Sequence, residues 1–407
     1  MSLTKKRWIV LAASCFVNIC IGSIYSWSIF SAPAAARIYE LTGSEVTQIS
    51  LVFTVANGVG PITMISGGYF NDRLGPKWVV FIGGLMFGAG MIISGLAASF
   101  ALLMVGYGLL CGLGMGMVYG CTVSNSVKFF PDRKGLAGGL TTASYGISSV
   151  IIPPIGNALI SGLGISAAFI ILGAVMLAVI CVSAFFISKC PSGFRPEGWE
   201  GAGAAAGSAA VEKDWRRMLG SGVFYVMLLM LLCGAFSGLM AVSQASPIAQ
   251  KMIGMTPAQA AVVVSVLALF NAAGRIVSGA VSDKIGYVRT FLLVFALAIA
   301  ALLALYFCRE GSAALFYLGI SVTGVCFGSL MGVYPSFTAA QFGSKNNSVN
   351  YGIMFIGFAL AGFFGPTIMS AVFERTGGYQ VSFLIATALS AAGLLLTLLY
   401  RRMARRG

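Results

Sequence analysis

The chain has 407 residues and a mean hydropathy of +0.94, and its composition is 58% hydrophobic and 9% charged. About a quarter of the residues of a soluble domain are charged, so this composition excludes an ordinary soluble fold. The formal net charge of +14 would suit a nucleic-acid partner if the basic residues formed one surface.

Apolar segments recur along the whole chain, and each is long enough, at about 20 residues, to cross roughly 30 Å of hydrocarbon. They predict an all-α membrane protein with twelve transmembrane helices. The predicted spans cover residues 8–30, 46–69, 78–98, 101–127, 135–160, 163–188, 219–247, 257–281, 288–307, 312–340, 348–372 and 379–400.

The basic residues alternate between the two sides of the predicted membrane. If the amino terminus is cytoplasmic, Arg37, Lys251, Arg309 and Arg375 lie outside and Arg275 lies within a span. All the other lysines and arginines, of 25 in total, lie inside. This is the distribution of the positive-inside rule, and it predicts that both termini are cytoplasmic. The charge therefore reflects membrane topology, and no nucleic-acid partner is expected.

The segment 189–218 is rich in glycine and alanine and ends in a charged stretch. It predicts a flexible cytoplasmic linker between an N-terminal six-helix bundle, 1–188, and a C-terminal six-helix bundle, 219–407.

The two predicted bundles share three motifs at nearly constant offsets of 214, 211 and 213 residues. Internal repeats of this kind are typical of secondary transporters, whose site lies at the membrane midplane between the repeats. Pro33-xxx-Arg37-xxxx-Thr42 recurs as Pro247-xxx-Lys251-xxxx-Thr256, Gly68-xxx-Asp72-Arg73-Leu-Gly75 recurs as Gly279-xxx-Asp283-Lys284-Ile-Gly286, and Pro153 recurs as Pro366.

The segment from Gly67 to Lys77, Gly-Gly-Tyr-Phe-Asn-Asp-Arg-Leu-Gly-Pro-Lys, resembles the cytoplasmic signature loop of the major facilitator superfamily, and its copy in the second half strengthens the match. The resemblance covers essentially the whole chain and implies two pseudo-symmetric six-helix bundles. It also implies that Asp72, Arg73, Asp283 and Lys284 make charge contacts at the cytoplasmic mouth that re-form in each transport cycle. The alternative is that these residues serve topology and folding alone.

Two closer resemblances narrow the family. Residues 129–140, Phe-Phe-Pro-Asp-Arg-Lys-Gly-Leu-Ala-Gly-Gly-Leu, resemble the loop that enters the fifth helix of monocarboxylate transporters. Residues 25–30, Tyr-Ser-Trp-Ser-Ile-Phe, are similar to the first helix of the oxalate:formate antiporter group. Both groups place an arginine in the eighth helix, where this chain has Arg275.

Arg275 lies in the middle of the eighth predicted span, where a charge costs roughly 2.5–3.5 kcal/mol and marks a substrate or ion path. Asn271, Arg275, Ser278 and Ser282 have the spacing of one helical stripe. No carboxylate lies within a span except at its cytoplasmic end. The planar guanidinium matches a carboxylate, so an anionic substrate is predicted. The alternative is a structural arginine satisfied by backbone carbonyls.

Other polar or aromatic residues of the spans are candidates for lining the same cavity. A buried phenol needs a hydrogen-bond partner, which places Tyr119 and Tyr334 first among them. For each aromatic residue, packing against lipid or another helix is the alternative. The candidates for substrate binding are Arg275, Asn271, Tyr119, Tyr334, Tyr25, Tyr145 and Phe358.

The chain departs from both groups of relatives. The resemblance to oxalate carriers implies a lysine in the eleventh helix, where this chain has Phe358; one buried cation favours a monocarboxylate. The resemblance to animal monocarboxylate transporters implies a proton-carrying aspartate at Asn271 and a lysine near Ile29. The chain has no histidine, so the group that would carry a proton is not identified.

The predicted function is secondary active transport of small monocarboxylates such as lactate or pyruvate, with a proton, by alternating access. Carboxylate exchange of the oxalate:formate type is an alternative, and a non-transporting membrane sensor is another. The chain has no phosphate-binding loop of the GxxxxGK[ST] type, no Ser/His/Asp set and no metal-ligand spacing. We therefore expect no enzyme, no cofactor and no metal, and a monomer in the inner membrane of a prokaryote.

Overall fold

In a computed structural model, the residues that the structure describes, 2–46, 48–199 and 212–404, are almost entirely helical. Eleven helical stretches among them are long and apolar enough to cross a membrane. One stretch, Lys134–Phe186, holds two helices, because Gly164 has φ 80° and ψ 166° and interrupts the helix. The described part of the chain thus contains twelve membrane-length helices, and the predicted all-α membrane fold is confirmed.

We number these helices α1 to α12 in chain order, with α5 and α6 before and after Gly164. A short helix, Trp215–Leu219, precedes α7. The others are α1 (Leu3–Thr42), α2 (Ser50–Leu74), α3 (Pro76–Gly95), α4 (Phe100–Phe129), α7 (Gly222–Lys251), α8 (Pro257–Ile285), α9 (Tyr287–Phe307), α10 (Ala313–Phe342), α11 (Asn347–Thr376) and α12 (Gln380–Met403).

α1 and α7 extend beyond the spans predicted from hydropathy. α1 continues past Arg37 to Thr42, and α7 continues to Lys251. Hydropathy falls at a charged residue, whereas helical hydrogen bonding continues, because long basic side chains can place their charge in water. The two helices are therefore longer than their apolar runs, and the additional residues at their ends are more polar.

The helices form two compact units. Unit 1 comprises Met1–Asp132, Ser144–Glu212 and Phe342–Ile353, and unit 2 comprises Arg133–Ala143, Lys213–Gln341 and Met354–Gly407. The division follows the sequence halves except at two segments: the first residues of α5 group with unit 2, and the first residues of α11 group with unit 1. The division into the bundles 1–188 and 219–407 stays a prediction.

Each unit contains a helix pair that packs through a row of glycines. In unit 1, a Cβ added to Gly116 of α4 would lie 2.0 Å from the carbonyl oxygen of Gly60 in α2. In unit 2, a Cβ added to Gly328 of α10 would lie 2.0 Å from the carbonyl oxygen of Asn271 in α8. Both rows have the four-residue spacing of small residues that lets membrane helices approach closely. The repeat is therefore present in packing as well as in sequence.

The predicted linker, 189–218, includes residues 200–211, which lie outside the described residues. Its described flanks make specific contacts within unit 1. The Lys189 ammonium donates to the carbonyl oxygen of Arg73 at 2.6 Å. The Glu212 carboxylate accepts from the backbone nitrogens of Ser344, at 3.2 Å, and Lys345, at 2.9 Å. The flanks are thus hydrogen-bonded to the end of α2 and to the turn between α10 and α11. Composition alone did not predict these contacts.

Candidate functional site

Arg275 lies on α8 and is buried, with 4% of its surface exposed. Its Nη1 donates to the backbone carbonyl oxygen of Thr142 in α5 at 2.6 Å. Its Nε donates to the Asn271 Oδ1 at 3.2 Å, one helical turn away. No carboxylate forms an ion pair with Arg275 within residues 2–46, 48–199 and 212–404. The charge is thus oriented by neutral acceptors without being neutralised.

A guanidinium has five N–H donors, and the contacts with Thr142 and Asn271 use one each on Nη1 and Nε. In the described part of the chain, Nη2 makes no hydrogen bond. Bidentate recognition of a carboxylate requires two parallel N–H groups on one edge of the guanidinium. One N–H of Nη1 and both N–H groups of Nη2 remain for other acceptors. The arrangement is a fixed cation with unused hydrogen-bond donors.

The backbone at Arg275 is held between two helices of unit 2. A Cβ on Gly332 of α10 would lie 2.5 Å from the Arg275 carbonyl oxygen, and a Cβ on Gly139 of α5 would lie 2.3 Å from the same atom. Neither position therefore accommodates a side chain without displacing α8. The two glycines determine the position of the Arg275 backbone, and the hydrogen bonds to Thr142 and Asn271 determine the orientation of its guanidinium.

The rest of the predicted polar stripe faces neighbouring helices. Ser278 and Ser282 are both buried. The hydroxyls of Ser278 and of Ser329 in α10 are 2.6 Å apart. Ser282 donates to the carbonyl oxygen of Gly279 in its own helix at 2.7 Å. The stripe thus has two parts. Asn271 and Arg275 retain unused N–H donors, whereas the hydroxyls of Ser278 and Ser282 are engaged in hydrogen bonds between and within helices.

Three of the predicted aromatic residues lie together in unit 1. The ring centre of Tyr145 is 5.2 Å from that of Tyr25 and 4.9 Å from that of Tyr119. Tyr25 also approaches Phe53 of α2 at 6.3 Å. Tyr119 and Tyr145 are buried, whereas Tyr25 is half-buried. The structure therefore joins Tyr25, Tyr119 and Tyr145 into one aromatic cluster, and their role in substrate binding stays a prediction.

Tyr334 occupies a different environment from the one predicted. It is fully buried in unit 2, its hydroxyl donates to the carbonyl oxygen of Met227 at 2.8 Å, and its ring packs against Phe291 and Phe337. The rule that a buried phenol needs a partner holds, but the partner is a helix carbonyl, and these contacts favour a packing role.

Phe358 is half-buried in unit 2 and stacks on Phe355, with ring centres 4.5 Å apart. Phe327 of α10 lies 6.4 Å away on a nearly parallel plane. Phe358 and Tyr145 correspond in the repeat. Each unit therefore has an aromatic cluster around this repeat position. A role for Phe358 in substrate binding stays a prediction.

Asp72, of the first signature loop, holds the beginning of α11 within unit 1. Its Oδ1 lies 2.6 Å from the Lys128 Nζ, and its Oδ2 accepts from the backbone nitrogen of Val349 at 3.2 Å. The Lys128 ammonium also donates to the carbonyl oxygen of Lys345 at 3.1 Å. A carboxylate at a helix N-terminus is stabilised by the unpaired backbone N–H groups there. Arg73 is exposed and lies over the Tyr69 ring at 4.1 Å.

Asp283, of the second signature loop, makes the equivalent contact within unit 2. Its two oxygens accept from the backbone nitrogens of Gly135, at 2.7 Å, and Leu136, at 2.9 Å, at the beginning of α5. Leu136 and Val349 correspond in the repeat, so both signature aspartates cap the same position of corresponding helices. Lys284 is exposed beside Asp283.

Sequence reasoning missed two contributors to these sites. The sequence indicates Lys128 only as a topological charge, although a lysine at the end of an apolar span is also a candidate for burial. The carbonyl of Thr142 carries no sequence signal at all, because any residue supplies one. The glycine row Gly324-xxx-Gly328-xxx-Gly332 was visible as a small-residue motif. Within the residues that the structure describes, no group of three or more metal-ligating side chains is present.

A family model described as Major Facilitator Superfamily matches residues 8–366 and, in a second match, residues 253–407. The chain is also similar along most of its length to a crystal structure of FucP, described as a Major Facilitator Superfamily transporter. The TM-score is 0.72 at 15% identity, and the match covers 97% of this chain and 99% of that one. At this identity the likeness concerns the fold alone.

Among curated proteins, the chain is 28% identical over 358 residues to YhjX of Escherichia coli (strain K12), described as an uncharacterized MFS-type transporter. That match covers 88% of this chain and 86% of YhjX. It is 29% identical over 409 residues to the oxalate:formate antiporter of Oxalobacter formigenes, covering 99% and 94%. It is 25% identical over 402 residues to monocarboxylate transporter 13 of Rattus norvegicus, covering 96% and 88%.

Proposed function

The chain belongs to the major facilitator superfamily, and we propose that this secondary transporter carries small monocarboxylates, such as lactate or pyruvate, together with a proton. The family predicted from the signature loops is confirmed, and with it the prediction of a membrane transporter rather than an enzyme. The transported species and the coupled ion go beyond the family, and we infer them from Arg275 and its surroundings.

The observation behind the proposed substrate is a buried guanidinium with hydrogen-bonding capacity to spare and no ion pair among the described residues. A buried charge is unfavourable unless a partner compensates it. A substrate carboxylate supplies that partner when it binds, and its departure restores the unpaired state. One such cation suits one carboxylate. The oxalate:formate antiporter and the monocarboxylate transporter among the relatives support an anion of this class.

Proton coupling is the second part of the proposal. Symport of one proton with one monoanion is electroneutral, so the pH gradient drives it and the membrane potential does not. The potential acts on uncompensated charge at about 2.3 kcal/mol per charge and 100 mV. Asn271 stands beside Arg275 without a titratable group. The proton therefore travels with the substrate or by water and tyrosine groups, of which Tyr25, Tyr119 and Tyr145 form the cluster in unit 1.

The proposal is tested by uptake of labelled lactate into proteoliposomes. We expect Arg275→Ala to abolish uptake and Arg275→Lys to retain only a small part, because lysine lacks the planar fork. Wild-type uptake by Arg275→Ala would exclude Arg275 as the carboxylate site. An inward acid gradient should drive accumulation, and a valinomycin-set potential should leave uptake unchanged. Strong voltage dependence would exclude electroneutral symport.

Anion exchange is the competing function, and the relative that is an oxalate:formate antiporter favours it. Exchange requires that liposomes be preloaded with a counter-substrate, whereas symport does not. The charge asymmetry of the loops supports a topology with both termini cytoplasmic.

A further inference from the structure

Unit 2 has a solvent-open cavity of about 430 Å³, lined by more apolar than polar surface, where α7 and α11 end and the turn before α12 begins. None of the residues that line it contacts Arg275. Its lining includes Lys251, Glu374, Gln244, Gln250, Phe373 and Tyr379. By the topology proposed above, this end of α7 and α11 faces the outside of the cell. Cavities of a few hundred Å³ with a small number of convergent polar groups are the usual form of small-molecule sites.

The two charged residues of this cavity have opposite signs and do not pair with each other. Lys251 and Glu374 are both exposed at the rim of the cavity and form no ion pair, and the Glu374 carboxylate makes no hydrogen bond within the described part of the chain. The Lys251 ammonium instead lies 4.6 Å from the centre of the Phe373 ring. Opposite charges that line one cavity but remain separate leave room for a ligand that carries the complementary pair of charges.

The remaining lining residues add an apolar face and amide groups. The rings of Phe373 and Tyr379 stack with centres 4.5 Å apart at 27°. Tyr379 is buried, with 3% of its surface exposed, so the half-buried Phe373 ring alone supplies apolar surface to a ligand. The Gln250 Nε2 donates to the Ser246 hydroxyl at 3.0 Å, which leaves its carbonyl oxygen available. The Gln244 amide makes no hydrogen bond within the described residues. These groups suit a ligand with polar atoms at one end and a hydrocarbon side chain.

The repeat supplies a comparison within the same molecule. Lys251 follows Pro247 by four residues, as Arg37 follows Pro33 in unit 1. Arg37 also lines a cavity, but that cavity measures about 10 Å³, which is room for about one water molecule. The motif thus places a cation beside a cavity in each unit. Of these two cavities, the one in unit 2 has the volume of a small ligand.

We propose that the cavity between Lys251 and Glu374 binds a small zwitterion of the amino-acid type, separately from the carboxylate bound at Arg275. The ligand carboxylate faces the Lys251 ammonium, the ligand ammonium faces the Glu374 carboxylate, and an aliphatic side chain lies against the Phe373 ring. A simple monoanion is attracted by Lys251 but repelled by Glu374, so the charge pattern of the cavity selects against it. The site would let the transporter respond to an outer solute that it does not carry.

Equilibrium binding of radiolabelled leucine to the purified full-length protein tests this assignment. The competitors are 4-methylpentanoate and 3-methylbutylamine, which are leucine without its ammonium group and without its carboxylate group. We expect unlabelled leucine to compete at least about tenfold better than either, because each lacks one charge-assisted contact. Equal competition by 4-methylpentanoate would overturn the proposal in favour of a plain anion site, and no leucine binding would also overturn it.

Variants locate the site. Lys251→Met and Glu374→Gln should each weaken leucine binding about tenfold, whereas Arg375→Gln should leave it unchanged, because Arg375 is exposed, neighbours Glu374 and does not line the cavity. Arg275→Met should retain leucine binding while lactate uptake is lost. Loss of leucine binding in Arg275→Met, or undiminished binding in Lys251→Met, would overturn the assignment without bearing on the proposed carboxylate transport.

Discussion

Arg275 in unit 2 and Met64 in unit 1 occupy equivalent positions of the repeat. A Cβ on Gly332 or Gly139 would lie 2.5 or 2.3 Å from the Arg275 carbonyl oxygen. In unit 1 the corresponding glycines, Gly120 and Gly352, approach Met64, with added Cβ atoms 2.7 Å from its Cγ and 3.2 Å from its carbonyl oxygen. The same packing thus accepts an apolar side chain in one unit and a guanidinium in the other. We therefore expect that folding of the repeat does not require the charge.

This equivalence predicts that Arg275→Met folds normally and fails to transport. Methionine already fills the matching position at Met64, and its introduction removes a charge whose burial costs roughly 2.5–3.5 kcal/mol at a span centre. We expect the unfolding temperature in detergent to be unchanged or higher and lactate uptake in proteoliposomes to be lost. A variant that fails to insert or unfolds at lower temperature would show that Arg275 is a structural residue held by backbone carbonyls.

Asn271→Asp is predicted to weaken substrate binding by supplying the missing counter-charge. The Asn271 Oδ1 lies 3.2 Å from the Arg275 Nε, so a carboxylate here would pair with the guanidinium and compete with the substrate. We expect the KM for lactate to rise about tenfold or more. Asn271→Ala keeps the free cation and should change KM much less; equal KM values for the two variants would contradict the pairing.

Gly139→Ala should disturb Arg275 from a distance. The added methyl group meets the Arg275 carbonyl oxygen at 2.3 Å, so α5 and α8 must separate and the Thr142 carbonyl moves away from the guanidinium. Overpacking of this kind costs about 1–3 kcal/mol. We expect a lower unfolding temperature and reduced lactate uptake. Gly162→Ala is the matched control, since it lies on the same helix with nothing within 4 Å of its Cβ. Equal effects of the two substitutions would point to helix propensity rather than to contact with Arg275.

The sequence was sufficient to predict the helices, because hydropathy and repeat spacing are local properties of the chain. It also predicted the partnership of Asn271 and Arg275, which depends only on helical spacing. It did not predict the contact between Arg275 and Thr142, which joins residues 133 positions apart through a backbone atom. Tyr334 shows the same limit. The sequence indicated that its buried hydroxyl needs a hydrogen-bond partner, but only tertiary packing determined that this partner is the Met227 carbonyl and not a group in a cavity.

The pair of Asp72 and Lys128 is predicted to behave as a coupled unit. The two side chains are 6% and 17% exposed, and Lys128 has little water to replace its partner. Asp72→Asn should therefore destabilise the protein by about 2 kcal/mol, below the 3–5 kcal/mol of a fully buried pair. The double variant with Lys128→Met should recover part of this loss. Asp283 is exposed and more screened, so Asp283→Asn should cost less. Additive effects of Asp72→Asn and Lys128→Met on the unfolding temperature would contradict the coupling.

Cys190, which follows α6 in the described flank of the linker, is predicted to be an unreactive thiol in the folded protein. Burial raises its pKa from 9.0 to about 11, an effect that the nearby Lys128 ammonium offsets in part, and its Sγ donates to the Lys128 carbonyl oxygen at 3.4 Å. Because the thiolate is the nucleophile, a rise of about two pKa units lowers its population about 100-fold near neutral pH. The neutral thiol is the form favoured by folding, so this contribution to stability is present below pH 9 and is lost as the pH rises towards 11. A variant with Cys190 as its single cysteine should react with maleimide at pH 7.5 roughly 100-fold more slowly when folded than when unfolded. Equal rates would show that the flank is detached from Lys128 and open to water.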